Sequence, residues 1–280
     1  MPEDLSVQTA RVRAALPSRP SHVDAKEVER VAFDVSGHRD LGLRVWTDAR
    51  EAAEQAWRTC RTRMRARHGA RSPHGGWLMF VLFAAILTAA FSAALASGFR
   101  SDPEETAGAL TVLVILAVLL DVFALAVAGW RPLNWAAIRM QIGVAIALTV
   151  AAVFELSPPA TAATPFVVAA AGVGIVGLVL VFIVRAARPQ ERAEIDNAVN
   201  VAVQEMQPEV DAIGQRLQAK VIASLSAEDA AHIVALRERT IAQLSEGGHV
   251  FSEHPETAPA GGVIIASVLA TWNPYAAKGR

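Results

Sequence analysis

The sequence predicts an all-α membrane protein, a four-transmembrane-helix bundle carrying helical N- and C-terminal extensions on the cytoplasmic side. Three observations predict it. The 280 residues are 53% hydrophobic with a mean hydropathy of +0.33, high for a soluble protein. Four mainly apolar runs follow one another between residues 77 and 184, each long enough to cross about 30 Å of hydrocarbon at about 1.5 Å per residue. Basic and non-basic connections alternate along those runs, as they do when Lys and Arg stay in the cytoplasm.

The spans are Trp77 to Ser97, Ala107 to Trp130, Ile138 to Leu156 and Phe166 to Val184. As buried helices of a soluble protein they would leave almost no chain to cover them. Arg58, Arg61, Arg63, Arg65, Arg67 and Arg71 precede the first span. The next connection holds Asp102, Glu104 and Glu105 with Arg100 alone. Arg131 and Arg139 flank the second connection, SPPATAATP carries no charge, and Arg185, Arg188 and Arg192 follow the last span. Trp77, Trp130 and Trp135 then fall at the cytoplasmic ends, where interfacial aromatics belong. Both termini are therefore expected in the cytoplasm of a multi-pass plasma-membrane protein. The first apolar run begins too late for a cleavable signal peptide, so the spans are expected to persist.

Residues 1–47 form an N-terminal cytoplasmic region, partly disordered: positions 1–21 are polar with three prolines, and a short helix is expected from Asp24 to Phe33. Asp48 with Glu51 three residues on has capping-box spacing and opens an Arg-rich juxtamembrane helix within 48–76, its second half carrying Arg on every face. That polybasic helix suits anionic lipid or nucleic-acid phosphate. In 185–248, Ile195, Val199, Val203 and Met206, then Val210, Ile213, Leu217, Val221 and Leu225, mark amphipathic helices. Pro208 is expected to kink or break them. Ser226 and Asp229 cap a further helix through Ile233, Leu236, Ile241 and Leu244, stopped by Gly247 and Gly248. In the 249–280 tail, Val263 to Trp272 is too short to span and reads as a docked strand or interfacial segment.

The sequence counts 14 basic against 10 acidic residues up to Gly76, and 9 against 12 from Arg185 onward. The acidic C-terminal part argues against a DNA-reading helix-turn-helix there. Lysine occurs only at 26, 220 and 278, and alanine is abundant, a bias of GC-rich coding. Cys60 is the single cysteine, so no intrachain disulfide forms.

Gly172, Gly174 and Gly177 spell a dinucleotide fingerprint, but inside a continuous apolar span, with no strand before it. They read instead as helix-packing positions, with Gly143, Ala147 and Ala151 at four-residue spacing in the third span. Asp121 lies close to the middle of the second span, where an ionisable group costs about 2.5 to 3.5 kcal/mol. It reads either as an ion or proton site or the polar lining of a pore, or as a protonated acid bonding helices together; no Lys, Arg or His stands deep in a span to pair with it. Glu155 is expected to reach water at the outer end of the third span. His249, Glu253 and His254 lack metal-ligand spacing and read as a solvated loop. No nucleophile elbow, phosphate loop or zinc-protease helix is present, so no catalytic residue, metal or cofactor is expected.

The stretch LLDVFALAVAGWRPLNWAAIRMQIGVAIALTVAAVFEL combines intramembrane Asp121, an Arg-containing turn and a Gly/Ala/Val-rich span. Over about residues 77–188 this pattern resembles the actinobacterial plasmid-spread (Spd-type) membrane proteins. The resemblance implies a four-span protein acting in plasmid transfer beside a DNA-translocating motor protein, with the Arg-rich helix as the DNA or motor contact. The leading expectation is a non-enzymatic membrane component of a plasmid or DNA transfer apparatus that forms homo-oligomers and contacts membrane lipid. A small channel or transporter using Asp121, and a membrane-anchored scaffold or effector, are the alternatives.

Overall fold

The computed structural model describes residues 5–16, 22–74, 76–98, 102–157, 161–251 and 257–275. The chain forms two units, one of residues 61–202 and one in which 1–60 folds together with 203–280.

The first unit holds four long apolar helices: α4 (Trp77–Ala96), α5 (Pro103–Ala128), α6 (Trp135–Glu155) and α7 (Thr164–Ala187). Each is long and apolar enough to cross a membrane. Two begin earlier than hydropathy alone predicts because polar side chains cap them. The Asp102 carboxylate accepts the Glu104 N–H at 3.0 Å, and the Asn134 side-chain oxygen accepts that of Ala137 at 2.9 Å. In the bundle, α4 packs on α5 and α6, and α7 packs on the same two from the other side, so α5 and α6 face each other across the diagonal.

The bundle core is rich in small side chains, including Ala85, Ala89, Ala117, Ala151 and Ala170, around Leu148 and Val167. Lipid removes the hydrophobic drive between helices, so close packing of small residues has to supply the attraction. Outward stand Phe80, Phe91, Val112, Leu119, Val153 and Val176, all exposed. An apolar surface of that extent belongs against lipid; the protein is a multi-pass, membrane-embedded helical bundle.

The second unit joins the two ends of the chain. A helix, α1 (Leu5–Ala15), stands where polar composition predicts disorder; it is held because Val12 is fully buried with Val28, Val31 and Leu244. Residues 1–4 and 17–21 lie outside the described residues. The expected short helix is α2 (Ala25–Val35), capped by Asp24. The helix α3 runs Arg39–His68, nine residues before the expected capping box, so Asp48 and Glu51 are interior positions. Its start is set instead by the turn at Gly37 (φ +85°), where the His38 N–H reaches back to the Phe33 carbonyl at 2.8 Å. Buried Val45, Ala49, Ala53, Ala56, Cys60 and Met64 form one stripe along α3, so arginine does not occupy every face.

Helix α8 runs Pro189–Ala223 through Pro208, so of the expected kink or break the break does not occur. Pro208 is exposed, and Met206 and Val210 beside it are buried. A proline removes one ladder bond, and packing on both sides of that position keeps the helix continuous. Helix α9 (Ala227–Glu246) has the expected cap: the Asp229 N–H donates to Ser226 Oγ at 3.0 Å. The tail forms a helix, α10 (Gly262–Leu269), ending in a single 3-10 turn, rather than a strand. Two-residue strands β1 (His22–Val23) and β2 (Val250–Phe251) pair in parallel. Across this unit α9 packs on α1 and α2, and α10 packs on α2.

Candidate functional site: a buried polar pair in the bundle

Asp121 lies seven residues from the end of α5 and Gln141 six from the start of α6. At about 1.5 Å per residue both sit about 10 Å inside the Trp130–Trp135 end of the bundle, nearer that end than the midpoint expected for Asp121. Asp121 is 1% exposed and Gln141 0%. Gln141 is the polar neighbour of the Asp121 carboxyl, yet Oδ1 and Oδ2 of Asp121 and Oε1 and Nε2 of Gln141 make no hydrogen bond of good geometry among the described residues. Gly177 of α7 completes the arrangement. A Cβ placed there would stand 3.4 Å from Gln141 Nε2 and 3.5 Å from Asp121 Oδ2. Sequence reasoning found Asp121 and Gly177 separately and missed Gln141, the one amide deep in a span.

The other packing positions divide. A Cβ on Gly143 would collide with the Ile86 side chain, and one on Gly174 would meet Leu148 at 3.3 Å. Ala147 is half-buried and Ala151 fully buried against the same core. Gly172 is exposed with nothing within 4 Å of its would-be Cβ, so it is not a packing position.

The Trp end is closed by a polar clasp. Arg71 donates to the Pro132 carbonyl at 3.3 Å and accepts from Asn134 Nδ2 at 3.4 Å through its own carbonyl. Arg185, only 8% exposed, donates to the Leu133 carbonyl at 2.5 Å and to Asp196 Oδ2 at 2.7 Å. Two guanidinium groups thus hold the α5–α6 turn. Burial, with the neighbouring Arg131 charge, lowers the Arg71 pKa against the opposing pull of Glu191 and Glu194. Of the other arginines in the predicted lipid or nucleic-acid surface, Arg61 is half-buried, while Arg58, Arg63, Arg65 and Arg67 are exposed. Arg58 meets Glu54 at 3.5 Å and Arg67 meets Glu194 at 3.9 Å.

At the opposite end Glu155 is buried rather than water-facing. Its Oε2 accepts from Thr161 Oγ1 at 2.7 Å and from Thr164 Oγ1 at 2.9 Å, tying the end of α6 to the start of α7. Among the described residues no group of three or more His, Cys, Asp or Glu could hold a metal; Glu253 and His254 lie outside the described residues.

A second buried polar cluster organises the unit built from the chain ends. Arg237 of α9 donates to Glu29 Oε1 of α2 at 2.6 Å and to the Ala258 carbonyl at 2.6 Å. Glu29 also accepts the N–H groups of Gly261 at 3.1 Å and Ile264 at 2.8 Å, satisfying orphan donors at the start of α10. Burial pushes the Glu29 carboxyl above its ordinary value, against the opposing pull of Arg237 and the two amides. The residues are 0% and 1% exposed, and sequence reasoning singled out neither.

No protein-family model, curated protein or solved structure matches this chain.

Proposed function

We propose that the protein is a non-enzymatic membrane component that holds a composite helical module at the cytoplasmic face and assembles through it into homo-oligomers. The observation that carries this reading is that residues 1–60 and 203–280 fold into one unit. A unit made from both ends of the chain needs both ends on one side of the membrane, which four spans allow. The Arg-rich connections favour the cytoplasmic side. Between α8 and α10 the module carries an apolar groove of about 900 Å³, lined by Val203, Val210, Ile222, Ile265 and Leu269 among others, a surface suited to association. Light scattering and cross-linking of the full chain in detergent test this. A strictly monomeric species across the micromolar range would sink it.

The exposed Arg58, Arg63, Arg65 and Arg67 on one helix favour a second reading, in which the module contacts nucleic acid as a component of a plasmid or DNA transfer apparatus, beside a DNA-translocating motor protein. The Spd-type resemblance implies the same role. Retardation of duplex DNA that weakens steeply with salt is expected; full-length protein that fails to retard DNA at low salt refutes it. The transport alternative rests on Asp121 and is taken further below.

A further inference from the structure

Asp121 and Gln141 neighbour one another, yet their four buried polar atoms make no hydrogen bond of good geometry among the described residues, in a part of the chain where water cannot freely supply a partner. The remaining charged residues of α4 to α7 do not compensate. Glu104 and Glu105 lie in the first turn of α5 and Arg139 is exposed, its guanidinium 5.8 Å from the Trp135 ring centre. Glu155 is engaged by two threonines at the far end. Arg185 is committed to Asp196 and the Leu133 carbonyl. Helix α4 contributes no charged residue. A carboxylate at this depth is neutralised by a proton or by a cation that the protein does not itself provide.

The donor set is chemically specific. Two carboxylate oxygens and one amide oxygen are hard ligands that suit a small, hard cation, and no sulfur or imidazole is offered. Gly177 adds no side chain of its own at the third wall, where the Leu125 side chain meets the polar pair. The same glycine and Leu125 also line a groove of about 390 Å³ between α5 and α7 that extends to Trp130 and Arg131. Leu125 Cδ1 lies 2.9 Å from the would-be Gly177 Cβ, beside both the groove and the polar pair.

We propose that Asp121 and Gln141 form an intramembrane binding site for one monovalent cation, an alkali ion or a proton, reached from the α5–α7 groove. The site is independent of the assembly reading, since a monomer would carry it complete. Full-length protein in lipid nanodiscs is titrated with sodium, lithium and potassium chloride against choline chloride, following thermal unfolding. The infrared carbonyl band of a protonated carboxylic acid is followed in parallel as a function of pH.

An alkali site is expected to raise the unfolding midpoint with the metal salt and not with choline. That response disappears in Asp121→Asn, survives in Asp121→Glu, and weakens about tenfold in Gln141→Leu, the effect of losing one ligand to a charged group. A proton site is expected to show no alkali response but a protonated-acid band that is absent in Asp121→Asn and vanishes on raising the pH while the fold is retained. If Asp121→Asn does not fold, Asp121→Glu and Gln141→Leu carry the comparison. A band that persists wherever the protein is folded, with no alkali response, would identify Asp121 as a permanently neutral structural acid and overturn the proposal. An alkali response equally present in Asp121→Asn overturns it as well.

Discussion

Arg237→Met is expected to undock the tail of the chain. The guanidinium supplies Glu29 with an opposite charge at 2.6 Å and holds the Ala258 carbonyl on the same fork. Methionine keeps the volume but leaves a buried carboxylate with two amide donors alone. Removing one partner of such a pair costs about 3 to 5 kcal/mol, which corresponds to a hundredfold or greater rise in local opening. Hydrogen exchange on the full chain in detergent reads it directly, because the Gly261 and Ile264 amides donate to Glu29 itself. Exchange at these amides and through α10 is expected to accelerate by that factor, while α5 and α6 keep wild-type protection. The exposed Arg239 is the control, and its replacement by Met is expected to stay within about 0.5 kcal/mol. The loss also depends on pH. A folded carboxyl held above its ordinary 4.5 binds more protons than the unfolded one, so its contribution falls as pH rises from that value through the folded pKa. Without Arg237 the folded pKa rises further, and the variant should weaken more at high pH than at low. Adding Glu29→Leu is expected to recover part of the loss, since an apolar pair is cheaper than a lone buried charge. Less than tenfold acceleration at α10, or equal acceleration in the spans, would refute the reasoning.

The bundle offers sharper contrasts. Gly143→Leu drives a side chain into Ile86 and is expected to cost about 1 to 3 kcal/mol in SDS-titration unfolding, whereas Gly172→Ala, in open space, should be neutral or slightly stabilising. Glu155→Ala strips the acceptor from two threonine hydroxyls and is expected to lose about 1 to 3 kcal/mol by the same assay, seen as faster proteolysis of the α6–α7 connection. Arg185→Ala leaves Asp196 and the Leu133 carbonyl without their donor and should expose the α5–α6 turn to cleavage, with Arg185→Lys rescuing only part because lysine lacks the planar fork. Replacing Arg63, Arg65 and Arg67 together by Gln is expected to weaken binding to anionic vesicles by about 1 kcal/mol per residue; unchanged binding would remove those side chains from the membrane contact.

The spans, the inward stripe of α8 and the Ser226 cap were legible because each is written within a window of a few turns. A twenty-residue apolar run has few homes other than lipid, whereas the caps at Asp102 and Asn134, which start two of the spans earlier, were not read from the sequence. Errors arose where a local rule met a tertiary constraint. Pro208 was expected to kink or break its helix, and the helix runs on without a break between buried Met206 and Val210. Asp48 and Glu51 have cap spacing, but the turn at Gly37 had already started the helix. Val263 to Trp272 has strand-like composition, and Glu29 capped it into a helix.

The sequence by itself determined that this chain carries four helices long and apolar enough to cross a membrane, because hydropathy and length are local sums that nothing distant can reverse. Only the tertiary structure decided which polar groups meet. Glu29 and Arg237 lie 208 residues apart, and Asp121 faces Gln141 across a diagonal set by how four helices pack. A charge's partner is chosen by burial and direction, quantities that exist only once the chain has folded.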